Sequence, residues 1–267
     1  VVAFLPDDLD LVKRGPALRR EFLDDLASQL VPTVGADLRE YEKALRQRNT
    51  LLRQEGKNAD PMTLDAWDVR VAEAGGRVLA NRLRLLGRMT ERLTAAYRTV
   101  GGRTHETLVP TYSASWVEIE EIADGIDPDY GTYASALLRA LEERRLRDLE
   151  MRATSAGPHR DDPGFRLHAR DVRLQASQGE QRSVALSLRI CAYQLLDERH
   201  GRPPILLLDD VFDKFDATRV KQIISLVEKE KPSEERKVDT LSWEPPAEGE
   251  EAFFLVWSGR FVQERDG

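Results

Sequence analysis

Cysteine is almost missing from this chain: Cys191 is the only one in 267 residues. No internal disulfide can form, and such sparse use of cysteine fits a reducing cytosolic compartment. Long apolar runs are missing too; none approaches the ~20 residues that a membrane span requires, so no membrane partner is expected. Val1-Val2-Ala3-Phe4-Leu5 is too short for a secretory segment and is followed by Asp7 and Asp8. A uniformly basic coat is excluded by a formal charge of −7. The phosphate-cradling pattern G-x-x-x-x-G-K-S/T occurs nowhere. No repeat of fixed period is present. The chain also begins with Val rather than Met, which suggests a fragment.

What is there begins with Ser177-Gln178-Gly179-Glu180-Gln181-Arg182, a glycine-bearing turn that opens a helix near Glu180. A helix start offers unpaired N–H groups and a partial positive charge, both suited to phosphate. Ser177 adds a hydroxyl donor and Gly179 permits close backbone approach. The competing reading is a plain serine N-cap. After a helix over Ser183 to Leu196 comes Ile205-Leu206-Leu207-Leu208-Asp209-Asp210. Large consecutive aliphatics suit a parallel strand buried on both faces. Two acids at its carboxyl end sit where open α/β sheets bind ligands. Asp209 is the candidate Mg²⁺ ligand, and Asp210 the residue that orients the attacking water. Asp213-Lys214-Phe215-Asp216 leads into a further helix, with Asp216 its expected N-cap and a candidate nucleotide-contacting residue. This order matches the signature and Walker B elements of ATP-binding cassette heads.

The first half reads as a short strand (Val1 to Leu5) and a helix from about Ala17 to Leu30. A second helix from about Thr33 to Glu55 carries Leu38, Tyr41, Leu45 and Leu52 at helical spacing. A long helix is expected over Met62 to Thr99, interrupted at Gly75-Gly76. From Arg77 to Arg103 there are seven arginines, one glutamate and neither lysine nor aspartate, a local charge of +6. At about 100° per residue, Arg77, Arg84, Arg88 and Arg92 fall within about 80° of one another. Leu79, Leu83, Leu86 and Leu93 lie opposite. The stripe is a candidate DNA-binding face, with a merely solvated face as its rival. Leu108 to Glu120 reads as one or two strands, Tyr130 to about Met151 as helix, and Phe165 to Gln175 as another strand.

Together these segments resemble the RecF family, in the SMC-like branch of cassette ATPases. The resemblance also rests on Phe4 to Lys13 with Arg19 to Asp24, on Tyr41 to Leu52, and on Ala156-Gly157-Pro158-His159-Arg160-Asp161-Asp162. It runs in order from about residue 1 to 230. It implies an α/β fold: a partial cassette head with a P-loop NTPase-like parallel sheet, and an inserted, mostly α-helical arm. The expected division is a head segment (1–30), a helical arm (31–152), a head lobe with signature and Walker B (153–230), a charged linker (231–251) and a terminal β-hairpin (252–267). The resemblance further implies an ATP- and Mg²⁺-dependent homodimer that binds double-stranded and gapped DNA. RecO and RecR are the implied partners in loading RecA, and hydrolysis would be slow. In that scheme Ser177, Gly179 and Gln181 act in trans on the partner's nucleotide, Asp216 lies in the D-loop, and Asp209 and Asp210 act in cis. No catalytic role falls to His159 or Arg160.

Two departures qualify the resemblance. Without the Walker A segment, this chain by itself is expected to bind ATP poorly. After Glu230, where a core strand ending in a switch residue is expected, residues 231–251 are charged and proline-bearing instead. Phe253 to Trp257 and Arg260 to Gln263 read as the hairpin, and no histidine lies beyond His200. The alternative is a non-catalytic interaction module derived from an SMC-like ATPase; a cassette head fused to a nuclease ranks last.

Overall fold

The computed structural model describes residues 2–102, 105–119, 122–201, 204, 206–208, 222, 223, 225, 253–257 and 260–264. The chain divides into two compact units. One comprises residues 1–14, 91–109 and 165–267, and the other residues 15–90 and 110–164. The sequence reading drew its borders at 30/31 and 152/153. The division instead groups residues 15–30 and 153–164 with the helical unit and residues 91–109 with the head.

The head unit is built around a mixed four-stranded sheet ordered β1-β5-β6-β7. Strand β1 (Val2–Phe4) pairs in parallel with β5 (Leu206–Leu208), Val2 opposite Leu206 and Phe4 opposite Leu208. Val2, Phe4 and Leu206, on one face of this pair, are buried, while Ala3 and Leu207 on the other face are half-buried. On its other edge β5 pairs antiparallel with β6 (Phe253–Trp257), which pairs with β7 (Arg260–Glu264) so that Trp257 faces Arg260. Against β1 lie the short helix α1 (Leu9–Lys13) and α8 (Gln178–His200). From Val184 to Leu196 all but Arg189 are buried on α8, which marks it as a core helix rather than a one-faced surface helix. Arg189 reaches Asp8 at 2.5 Å, and Asp8 accepts the Leu5 N–H at 2.9 Å, fixing the turn after β1.

The helical unit contains α2 (Pro16–Leu30), α3 (Pro32–Glu55), most of α4 (Pro61–Gly101), α5 (Tyr130–Glu143) and α6 (Arg145–Met151). The first three open on proline, whose missing N–H costs nothing in the first turn. Pro32 also forces Val31 into extended backbone, so α2 and α3 are separated by one residue.

The expected interruption at Gly75-Gly76 does not occur; α4 continues through it. A Cβ on Gly76 would lie 2.6 Å from both the Tyr130 carbonyl oxygen and the Ala134 nitrogen. The glycines let α5 approach the α4 backbone, and that packing outweighs their poor helix propensity of about 1 kcal/mol. Three other expectations change. Strand β2 (Leu108–Ser113) stops well short of Glu120. The helix expected from Tyr130 breaks at Arg144, which donates to the Ser115 and Ser155 carbonyls. The strand expected over Phe165–Gln175 is instead β3 (Asp162–Leu167), a left-handed turn at His168, the two-residue β4 (Arg170–Asp171) and the one-turn α7 (Val172–Gln175). The second sheet has the order β2-β3-β4. Among the described residues no helix is long and apolar enough to cross a membrane.

Candidate functional site

The turn before α8 is built from local signals. Ser177 has extended backbone and its Oγ accepts the Glu180 N–H at 3.3 Å, while the Glu180 carboxylate accepts the Ser177 N–H at 2.7 Å. This reciprocal capping box starts the helix at Gln178, two residues before the expected start. The Ser177 N–H bond, helped by Arg170 at 3.1 Å, holds the Glu180 carboxyl down at about 2. Ser177, Gln178 and Gly179 are exposed, and a Cβ on Gly179 would meet nothing within 4 Å. The helix start is thus open in front, with Ser177 already serving as the cap. Gln181 points inward: its amide nitrogen donates to the carbonyls of Val172 and Arg173, both at 3.2 Å, tying α8 to α7. Strand β5 is described as far as Leu208; Asp209, Asp210 and Asp216 lie outside the described residues, as do residues 231–251. Among the described residues no group of three or more His, Cys, Asp or Glu is arranged to hold a metal ion.

The arginine stripe is not of one sign once the chain is folded. Arg77 donates to Asp37 at 3.0 Å and Glu40 at 2.6 Å, both on α3. Arg84 reaches Asp127 at 2.5 Å and Asn81 at 2.9 Å. Within the head unit, Arg92 meets Glu198 of α8 at 2.9 Å. Arg88 is half-buried. The stretch from Arg77 to Arg103 alone shows one acid, Glu91, because the others arrive from elements distant in sequence. Of these pairs, Arg84–Asp127 is exposed on both sides, and such a pair contributes about 0–1 kcal/mol.

A second polar cluster, absent from the sequence reading, lies inside the helical unit around Arg82, which is 4% exposed. Its guanidinium donates twice to Asp24 at 2.7 Å, to the Tyr112 hydroxyl at 3.0 Å and to the Pro158 carbonyl at 2.8 Å. Tyr112 donates onward to Asp161 at 2.9 Å, whose other oxygen accepts from Trp116 Nε1 at 2.8 Å. Burial disfavours the Arg82 cation, yet Tyr112 and Asp24 outweigh this and raise it above its ordinary value. Burial pushes Asp161 up to about 6, against the pull of the Trp116 and Tyr112 donors and of Arg82 and Arg20. One signal pointed here: Arg82 falls about 140° from Arg77 on the α4 wheel, among the leucines. An arginine on an apolar face needs a buried partner.

The string Ala156–Asp162 is a structural junction in this unit. Tyr41 donates to His159 Nδ1 at 2.7 Å, and His159 Nε2 donates to the Thr154 carbonyl at 3.1 Å. Burial drives His159 down to about 4 and raises Tyr41. Gly157 has φ 125°, and a Cβ there would stand 2.6 Å from the Tyr41 hydroxyl. Nearby, the fully buried Arg48 donates to Asp68 at 2.5 Å and to Asp148 and Thr154 at 2.8 Å, joining α3, α4, α6 and the turn beyond.

No family model matches the chain. Curated relatives do. DNA replication and repair protein RecF of Myxococcus xanthus is 39% identical over 219 residues, covering 82% of this chain and 56% of that protein. RecF of Acidothermus cellulolyticus is 38% identical over 230 residues, covering 85% and 60%. Among solved structures, the recombination mediator protein RecF with ATP in the RecFOR pathway superposes with a TM-score of 0.73 at 30% identity, over 85% of this chain and 59% of that one. The chain therefore spans less than two thirds of the length of the proteins it matches. With sequence and fold agreeing over more than four fifths of its length, the chain belongs to the RecF family, of which it represents a part.

Proposed function

We propose that this chain contributes the signature face, the metal-holding strand and the arm of a RecF-type DNA repair and recombination mediator. The observation that carries the reading is the open, capped start of α8, joined through that helix to β5, the strand in parallel register with β1. In a homodimer of complete proteins, Ser177 and Gly179 would meet the γ-phosphate side of ATP bound to the partner, using helix-start N–H groups. Gln181 would act mainly by holding that turn in place. Asp209-Asp210 follow the described part of β5 directly in sequence, so Asp209 would hold Mg²⁺, which neutralises developing phosphate charge, and Asp210 would orient the attacking water. Asp216 would lie at the dimer boundary. Double-stranded and gapped DNA would meet the arginine face of α4, with RecO and RecR as partners in loading RecA, in the cytoplasm.

The test rejoins this chain to a Walker A segment and measures gel-filtration mass with and without ATP. An ATP-dependent dimer, persistent in Asp210→Asn and lost in Ser177→Arg, supports the reading. A monomer with ATP in both the parent and Asp210→Asn refutes it. For the DNA face, replacing Arg84, Arg88 and Arg92 by glutamate should weaken duplex binding and flatten its salt dependence; unchanged affinity and slope would remove the stripe from consideration.

A further inference from the structure

Residues 117–129 hold six acids (Glu118, Glu120, Glu121, Asp124, Asp127 and Asp129) and no lysine or arginine. The described part of this segment, 122–129, runs along α4 beside the arginine stripe. Two small residues hold it close. The Ala123 carbonyl sits against Gly87, in space a side chain would occupy, and the Tyr130 carbonyl likewise sits against Gly76. Between these anchors Asp127 reaches Arg84, at 3.1 Å to Nε and 2.5 Å to Nη2.

The acids in this segment have different tasks. Asp129 caps α5, accepting from Gly131 at 3.0 Å and Thr132 at 3.2 Å. Asp124 accepts the N–H of Gly125 at 3.0 Å, in a turn that Gly125 makes with φ 79°. Asp127 bonds to Arg84 instead, with its side chain 85% exposed against 44% for Arg84. It supports no turn and no helix end, so the segment can keep its path when Asp127 lets go. An exposed pair is worth about 0–1 kcal/mol. A phosphate offers the same guanidinium two acceptor oxygens in bidentate geometry.

We propose that this segment is an exchangeable acidic cover on the arginine face, with Asp127 occupying Arg84 until a nucleic-acid phosphate takes its place. The cover lowers affinity for isolated phosphates and favours ligands that present several at once. This inference rests on the reading of α4 as a DNA-binding face.

The test is anisotropy of a fluorescent DNA duplex with the chain and its Asp127→Asn, Asp124→Asn and Arg84→Gln variants, from about 50 to 200 mM salt. Asp127→Asn is expected to bind about two- to fivefold tighter at the low end. Its slope of log affinity against log salt should steepen, because salt no longer helps binding by weakening the Asp127–Arg84 pair. Asp124→Asn removes the same charge from the same segment and should change affinity by less than half as much. Arg84→Gln should weaken binding. If Asp127→Asn binds no tighter, or Asp124→Asn tightens binding as much, the cover is overturned while a weakened Arg84→Gln keeps the DNA face. If Arg84→Gln retains parent affinity and slope, the face itself is overturned, and the cover with it.

Discussion

Arg82 and Arg84 are two residues apart on one helix, each paired with an aspartate, and they should behave in opposite ways on truncation. The Arg82 side chain is 5% exposed and its partner Asp24 20%. Replacing Arg82 by Met keeps most of the side-chain volume but strands a carboxylate and leaves Tyr112 and the Pro158 carbonyl without that donor. Breaking a buried pair from one side costs about 3–5 kcal/mol. The partial exposure of Asp24 puts the cost at the lower end, about 3 kcal/mol, still a large share of a typical domain stability of about 5–15 kcal/mol. Arg84→Met, in the exposed pair with Asp127, should cost at most about 1 kcal/mol. Arg82→Met combined with Asp24→Leu should recover part of the loss, since Asp24 is no longer left without its cation. Urea unfolding followed by far-ultraviolet circular dichroism gives all three differences, provided the denaturant slope is unchanged. The reasoning fails if Arg82→Met costs no more than Arg84→Met, or if the double variant is no more stable than Arg82→Met alone.

Acid should act on the neighbouring junction through His159. Its folded value of about 4 lies below the ordinary 6.5, so its contribution is present above pH 6.5 and is lost as pH falls through 4. Asp161, raised to about 6, runs the other way: its contribution is complete below its ordinary range and is lost as pH rises through 6. His159→Gln should therefore gain stability relative to the parent between pH 7 and pH 4, by as much as about 3 kcal/mol. Parallel stability–pH curves for the two proteins would show that His159 is not held neutral. Among the glycines, Gly76→Ala should destabilise by about 1–3 kcal/mol despite the better helix propensity of alanine, because the α5 backbone must move. Gly35→Ala on α3, where the nearest atom is the flexible end of Arg39 at 3.4 Å, should be neutral or gain up to about 1 kcal/mol. Thermal melts of the pair check the sign at each position.

Features that depend on a few consecutive residues could be read in advance. Ser177 and Glu180 stand at the spacing of a capping box, so the start of α8 was legible to within two residues. The aliphatic run ending at Leu208 announced a buried strand, and its parallel pairing with β1 agrees. Features that depend on distant partners were not legible. Gly75-Gly76 signals a break unless α5 is already known to lie against it. The stripe on α4 looked single-signed because Asp37, Glu40, Asp127 and Glu198 approach from 37 to 106 positions away. The cluster of Arg82, Asp24, Tyr112 and Asp161 is assembled from four separate stretches.

Sequence alone determined the helix start, the strand that precedes Asp209-Asp210 and the membership in the RecF line, because caps, apolar periodicity and motif spacing are encoded within single segments. Only the tertiary structure decided which charges are buried, which are paired and which remain open to a ligand. A side chain's electrostatic environment is set by whatever folds against it, and that is not a local property of the chain.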